Sequence, residues 1–130
     1  MGRSTNAPRK VLVIEDHPEL RLMIHNLLSF EGFDVRSAGD GLAGADLAAA
    51  ERPDLIVCDI QLPGTDGFGV LGKIRANPNL SDVPFVFISA QNAPSTIASG
   101  LSLGADEYLT KPFSNFDLLR SVRNRLQQTA

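Results

Sequence analysis

The sequence has one cysteine and no long apolar run. Cys58 has no possible intrachain partner, and its place in an apolar run predicts a buried thiol in a reducing compartment. No apolar stretch reaches the roughly 18 residues that a membrane-spanning helix needs. The first eight residues also lack the apolar segment of a signal peptide. We therefore expect a cytoplasmic protein that does not contact the membrane.

An excess of basic charge is also missing. The 12 Lys and Arg residues are outnumbered by 15 Asp and Glu residues, which gives a net charge of -3. Because such a field does not favour a polyanion, direct binding to nucleic acid is not expected. The even composition predicts one domain over residues 9–128. Residues 1–8 are expected to be a disordered tail, and residues 129–130 the C-terminal end or the start of a linker.

Five short strand-like runs are present, and they alternate with segments of helical spacing. The runs cover residues 11–14, 33–37, 55–58, 83–88 and 107–109, and the helical segments begin near residues 18, 41, 66, 94 and 115. Asp16 is a candidate cap for the first helix, which should stop at Gly32. Alternation of this kind predicts an α/β fold, a parallel sheet with helices on both faces, because crossover connections are right-handed.

The same spacing predicts which helix residues face the core. The expected inward residues are Leu20, Met23, Ile24, Leu27 and Leu28 in the first helix, Leu42, Ala45 and Ala49 in the second, Phe68, Leu71 and Ile74 in the third, Ile97 and Leu101 in the fourth, and Leu119, Val122 and Leu126 in the fifth. The two histidines have no partner at a metal-ligand spacing. We expect His17 to be a surface loop residue and His25 an exposed helix residue.

Polar residues follow four of the five runs. Glu15 and Asp16 end the first, Asp59 the third and Ser89 the fourth, and Lys111 comes just after the fifth. Because the carboxyl ends of parallel strands meet at one edge of a sheet, where ligands bind, these side chains should share one pocket.

Three carboxylates in one pocket require compensation. Two unit charges about 4 Å apart interact by about 4 kcal/mol at an effective dielectric constant near 20. Either some of the acids are protonated, or a hard dication such as Mg²⁺ joins them. A carboxylate can attack a phosphoryl group when the charge on the transferring oxygens is neutralised, and a lysine and a hydroxyl group suit that task. Each of these residues taken alone could have a simpler structural role, so the prediction of phosphoryl chemistry depends on their occurring together.

Together these motifs resemble the receiver domain of two-component response regulators, including the chemotaxis-type single-domain members. The resemblance extends from about residue 10 to residue 127. It rests on Val13-Ile14-Glu15-Asp16, Asp59-Ile60-Gln61-Leu62-Pro63-Gly64-Thr65-Asp66-Gly67, Ser89-Ala90, Gly104-Ala105-Asp106-Glu107-Tyr108 and Lys111-Pro112-Phe113. It implies a flavodoxin-like, five-stranded parallel sheet in the order 2-1-3-4-5.

The resemblance also implies a phosphoryl acceptor. Asp59 would receive the group from a phosphohistidine on a sensor histidine kinase or a histidine phosphotransfer protein. Mg²⁺ would be bound by Asp16, Asp59 and the backbone carbonyl of Gln61, with Glu15 acting mainly through metal-bound water. The domain would promote its own phosphorylation and dephosphorylation, but act chiefly as a signalling switch.

The switch implied by the resemblance involves two further residues. Lys111 and Ser89 would hold the phosphoryl oxygens, and Ser89 would move toward the phosphate while Tyr108 turns inward. The surface formed by helix four, strand five and helix five would change and control an unknown effector or an output domain. Receivers often dimerise through this face, and they often have a cis bond where this chain has Lys111-Pro112.

Two glutamines lie where receivers adjust the lifetime of the phosphorylated state. Gln61 and Gln91 fall two residues after Asp59 and Ser89. We hypothesise that their amides tune this lifetime by influencing the attack of water.

Two alternatives remain at this point. A degenerate receiver would bind partners without phosphorylation, although competent residues occupy all five acceptor-site positions. A flavin-binding domain would need a hydroxyl-rich phosphate loop after the first strand, where this chain has Glu15-Asp16-His17-Pro18.

Overall fold

A computed structural model describes residues 7–127 of the chain. Of the predicted N-terminal tail, only Ala7 and Pro8 belong to this range. The rest of that tail and the predicted end segment 129–130 lie outside the described residues. Within the described range, no helix is both long and apolar enough to cross a membrane.

Ten elements alternate along the chain as predicted. They are β1 (Lys10–Ile14), α1 (Pro18–Phe30), β2 (Asp34–Ala38), α2 (Gly41–Glu51), β3 (Leu55–Asp59), α3 (Gly67–Ala76), β4 (Phe85–Ser89), α4 (Pro94–Ser102), β5 (Glu107–Thr110) and α5 (Asn115–Gln127). All strand pairings are parallel, and the order in the sheet is β2-β1-β3-β4-β5. The α/β class and the strand order 2-1-3-4-5 are confirmed.

The sheet separates two apolar cores. On one face, Leu12, Ile14, Cys58 and Phe87 pack with residues of α2 and α3. On the other face, the alternate strand residues pack with residues of α1 and α5. Burial on both faces explains why β1, β3 and β4 read as continuous apolar runs instead of alternating.

Helix α2 contacts the sheet through a different face from the one predicted. Gly41, Gly44 and Ala48 are buried, whereas the side chain of Leu42 is 56% exposed. A Cβ atom at Gly44 would lie only 2.5 Å from Cδ1 of Ile14. Hydrophobic spacing predicted that Leu42 faces the core. Instead, the helix packs closely against β1 at Gly44, where the absence of a side chain permits the contact.

Other inward positions also differ from the prediction. In α4, Leu101 is 44% exposed and Gly100 is buried, because Gly100 lies against the ring of Phe87. In α1, Ile24 and Leu28 are fully buried as expected, but Met23 is exposed. In α5, Val122 and Leu126 are buried as expected, Leu119 is only partly buried, and Leu118, not predicted, is fully buried.

The start of α1 corrects another prediction. Asp16 does not cap this helix, because Pro18 begins it and His17 occupies the N-cap position without a side-chain cap bond. Asp16 therefore lies one residue too early to reach the first turn. His25 is also not exposed, since it is half-buried with Nδ1 2.7 Å from the hydroxyl oxygen of Ser37 on β2.

The close contact at Gly44 generates a stability prediction. Gly44→Ala should lower the free energy of unfolding by about 1–2 kcal/mol, because overpacking against Ile14 outweighs the helix propensity of alanine. The matched control is Gly72→Ala in α3, where a Cβ atom meets nothing within 4 Å. That change should raise stability by up to about 1 kcal/mol. Urea denaturation measures the free energy of unfolding of both variants. If the two substitutions changed it equally and in the same direction, the packing explanation would be contradicted.

The thiol of Cys58 generates a second prediction. The residue is fully buried, and burial raises the pKa of the thiol well above its usual value, with repulsion from Asp59 and Glu15 adding to the effect. Because the thiolate is the reactive form, the folded protein should not react with iodoacetamide at pH 8, whereas unfolded protein in urea should react fully. Mass spectrometry measures the adduct. Rapid labelling of folded protein would show that this core opens readily.

Candidate functional site

The predicted site residues converge at the carboxyl edge of the sheet. Glu15 follows β1, Asp59 and Ser89 end β3 and β4, and Lys111 follows β5. The three residues from the central strands are almost completely buried, and the side chain of Lys111 is 17% exposed. The cleft lies at the position where the strand order reverses, which is the usual ligand site of such sheets.

Lys111 joins the acids of two strands. Its Nζ donates to Oε1 of Glu15 at 3.0 Å and to Oδ2 of Asp59 at 2.8 Å. Burial lowers the pKa of Lys111, but the hydrogen bonds and negative charges of Asp59 and Glu15 outweigh it, so the pKa lies above its usual value. The ammonium group is therefore a fixed positive charge beside Asp59 at neutral pH.

The Asp59 carboxylate is oriented by its own loop. Oδ1 accepts a hydrogen bond from the backbone N–H of Gln61 at 3.1 Å, while Oδ2 accepts from Lys111. The loop is held against the start of α3, where Gly67 N–H donates to the carbonyl of Ile60 at 2.7 Å. A Cβ atom at Gly67 would lie 2.4 Å from the Asp59 carbonyl oxygen, so this approach requires glycine.

A group of potential ligand atoms surrounds the acids. Glu15, Asp16, His17 and Asp59 each offer one such atom, and all four atoms lie within 4.8 Å of one another. Within the described residues, Oδ1 of Asp16 is buried and has no hydrogen-bond partner. Three carboxylates and one lysine leave two formal negative charges. An oxygen-rich, doubly negative cleft with an unsatisfied oxygen fits a hard dication such as Mg²⁺.

The position of His17 was only partly predicted. Its side chain is 73% exposed, as expected of a surface loop residue. However, Nδ1 lies 3.1 Å from Oε2 of Glu15 and 3.5 Å from Oδ1 of Asp16, so the ring belongs to the acidic group. Direct sequence adjacency to the acid pair was the signal that could have indicated this.

Ser89 and Tyr108 are connected through the backbone of Gln91. The N–H of Gln91 donates to Oγ of Ser89 at 3.1 Å, and its carbonyl accepts from the Tyr108 hydroxyl at 2.6 Å. Tyr108 is half-buried, and its ring centroid lies 6.1 Å from that of Phe87. Ser89 and Tyr108 are therefore both hydrogen-bonded to the main chain of Gln91.

Further contacts place the loops around the cleft. The backbone N–H of Lys111 donates to the carbonyl of Ser89 at 2.7 Å, and the Lys111-Pro112 bond is cis, as the resemblance implied. Nη1 of Arg21 donates to the carbonyl of Glu15 at 2.9 Å. Sequence reasoning missed Arg21, because a contact with a backbone carbonyl has no spacing pattern.

Comparison with known proteins identifies the family of the sequence. A family model described as "Response regulator receiver domain" matches residues 11–123. A curated relative, the "Probable transcriptional regulatory protein TcrX" of Mycobacterium tuberculosis, is 38% identical over 130 residues. The match covers 99% of this chain and 54% of that protein. The chain thus spans about half the length of the curated relatives it matches.

Solved structures agree with this match. The chemotaxis protein CheY4 of Vibrio cholerae is 28% identical with a TM-score of 0.88, and the match covers 92% of this chain and 100% of that one. The receiver domain of the sensor histidine kinase PA1611 of Pseudomonas aeruginosa, described with a magnesium ion coordinated in its active site cleft, is 30% identical with a TM-score of 0.86. That match covers 93% of this chain and 99% of the other.

Fold, site and relatives agree with one another. The profile match covers most of the chain, and the strand order is the one that the resemblance implied. The acidic cleft around Asp59 lies at the edge of the sheet where ligands of such folds bind. This chain therefore belongs to the receiver domain family of two-component response regulators.

Proposed function

We propose that Asp59 accepts a phosphoryl group from a phosphohistidine and that the domain then switches its α4–β5–α5 surface. The observation that carries this proposal is the 2.8 Å contact between Lys111 Nζ and Oδ2 of Asp59 inside a buried acidic cleft. A sensor histidine kinase or a histidine phosphotransfer protein would supply the group.

In the proposed transfer, an oxygen of Asp59 forms a bond to phosphorus as the bond from phosphorus to the donor imidazole nitrogen breaks. The imidazole leaves with the electron pair, and an acyl phosphate forms on Asp59. Lys111 would neutralise charge on the phosphoryl oxygens, and the Ser89 hydroxyl would donate a hydrogen bond to one of them. Lys111 already lies beside Asp59, whereas Ser89 would reach the phosphoryl group by turning its hydroxyl.

The proposed metal ligands are Asp16, Asp59 and the backbone carbonyl of Gln61, with Glu15 acting through water. The buried, unsatisfied Oδ1 of Asp16 and the all-oxygen donor set support Mg²⁺ at this position. When bound, the ion would supply further positive charge to the phosphoryl oxygens. Arg21 and Gly67 would keep the ligand-bearing loops in place.

The proposed switch uses the Ser89–Gln91–Tyr108 connection. If Ser89 turns its hydroxyl group toward the phosphoryl group, the hydrogen bond from the Gln91 N–H to Ser89 is lost, and the loop that binds Tyr108 can move. The adjoining surface has apolar groups available for a partner, since Leu101 and Phe116 are 44% and 66% exposed. A homodimer through α4 and α5 and an effector are both compatible with this face.

The proposed partners follow from the family. Receiver domains as a class interact with histidine kinases and effectors. Because several longer relatives are named as transcriptional regulators, we propose that the effector is either an output domain or a separate protein. The net charge of -3 argues against direct nucleic-acid binding by this domain. We propose that it acts in the cytoplasm without contacting the membrane.

The alternative functions are less well supported. A degenerate receiver does not need a buried acceptor carboxylate paired with lysine, and this chain retains the pair. A flavin phosphate would meet the carboxylates of Glu15 and Asp16, which would repel it.

Intact mass tests the acceptor. After incubation with acetyl phosphate and Mg²⁺, the wild-type protein should gain the mass of one phosphoryl group, because Asp59 is a nucleophile beside a cation. Asp59→Asn should gain nothing, whereas the control Asp46→Asn, at an exposed position of α2, should be modified like the wild type. If the acyl phosphate hydrolyses too rapidly to be detected, calorimetry should still detect binding of beryllofluoride, which mimics the phosphoryl group. Absence of both signals would favour the degenerate receiver.

The two glutamines generate a prediction about lifetime. Gln61→Ala and Gln91→Ala should each lengthen the half-life of the acyl phosphate by about fivefold, the effect expected from losing one hydrogen bond worth about 1 kcal/mol to the attacking water. Loss of label after removal of the donor measures the half-life. Asn92→Ala, an exposed amide next to Gln91, is the control. Half-lives equal to the wild-type value in both variants would eliminate the proposed role.

A further inference from the structure

We propose that the imidazole of His17 is an additional ligand at the acidic cleft, and that it shifts the metal preference of the site toward borderline transition-metal dications such as Ni²⁺ and Zn²⁺. The inference rests on the proposed metal site and deepens it. Carboxylates, carbonyls and water alone suit Mg²⁺, Ca²⁺ and Mn²⁺, whereas imidazole suits Zn²⁺, Cu²⁺ and Ni²⁺.

The distances around His17 fit shared ligation. Nδ1 lies 3.1 Å from Oε2 of Glu15 and 3.5 Å from Oδ1 of Asp16. Two ligand atoms that are each about 2.1 Å from one ion lie about 3.0–3.5 Å apart at octahedral or tetrahedral angles. Without an ion, Nδ1 is hydrogen-bonded to Oε2 of Glu15, and its 3.5 Å separation from Oδ1 of Asp16 is one that a common ion would give.

Two further observations point to a ligand. Within the described residues, the buried Oδ1 of Asp16 is without a hydrogen-bond partner, although the imidazole lies beside it. The ring of His17 is not used as a helix cap, since the residue occupies the N-cap position of α1 without a side-chain cap bond. An ion between the ring and Asp16 would satisfy this unpaired oxygen.

The fold leaves the ring free to adjust. The backbone N–H of His17 is held by Oε2 of Glu15 at 3.1 Å, which fixes the position of the residue. Its side chain is 73% exposed, so the imidazole can rotate without disturbing the core. The four ligand atoms lie within 4.8 Å of one another, and rotation of the ring can bring its nitrogen toward a shared ion.

A transition-metal ion bound through His17 would compete with Mg²⁺ for the cleft. Affinity for divalent ions of the first transition row rises toward Ni²⁺ and Cu²⁺ for most sites, and a nitrogen ligand adds to this trend. An ion held by His17 and Asp16 would exclude Mg²⁺, because Asp16 is also a proposed ligand of Mg²⁺. Phosphoryl transfer in this domain should then be more sensitive to transition metals than a site of oxygen ligands alone.

Calorimetry on untagged protein tests the proposal. The ratio of Ni²⁺ affinity to Mg²⁺ affinity should be at least about tenfold lower in His17→Asn than in the wild type, a difference of about 1.4 kcal/mol. The chain contains only two histidines, so His25→Asn is a matched control that removes the imidazole bonded to Ser37, and His25 is not one of the four grouped ligand residues. Its ratio should equal that of the wild type.

Nitrogen NMR of the two imidazole rings gives a second readout. Zn²⁺ should shift the Nδ1 resonance of His17 and leave that of His25 unchanged. An unchanged affinity ratio in His17→Asn, or an unmoved His17 resonance at saturating Zn²⁺, would overturn the role of His17. If Mg²⁺ still bound in that case, the proposed function would stand. Failure of the wild-type protein to bind either ion would reject the metal site itself.

Discussion

The ammonium group of Lys111 is the contact on which the rest of the site depends. It bridges carboxylates that follow β1 and end β3, and both of those residues are almost completely removed from water. Buried charges are tolerated when they are paired and hydrogen-bonded, and they are costly when a partner is removed. The lysine itself follows β5, so the pairing also ties the edge of the sheet to its centre.

Much of this arrangement could be predicted from the sequence. The central strands are apolar throughout because helices cover both faces, so their limits and the polar residues at their ends were readable. Parallel pairing then brings Glu15, Asp59 and Ser89 to one edge. The order of the strands could not be predicted from spacing, because periodicity does not indicate which strands are neighbours. The predicted order came from the resemblance to receiver domains.

The errors have a common physical origin. Hydrophobic spacing assigns inward faces to large apolar residues, yet α2 and α4 meet the sheet at Gly44 and Gly100, where the absence of a side chain permits close contact. The capping role expected of Asp16 was also wrong. The helix starts at Pro18, a shift too small to be seen in the pattern, so Asp16 does not cap it. Its carboxylate lies in the acidic cleft, as the position at the end of the first strand had predicted.

The connection between Ser89 and Tyr108 depends on the main chain of Gln91 and not on its side chain. Both hydrogen bonds that join Ser89 to Tyr108 use the backbone N–H and carbonyl of Gln91, groups that almost every amino acid provides. The side chain at this position is therefore not needed for the link between the two residues. Any residue other than proline at position 91 could therefore keep both hydrogen bonds, because proline alone lacks the backbone N–H.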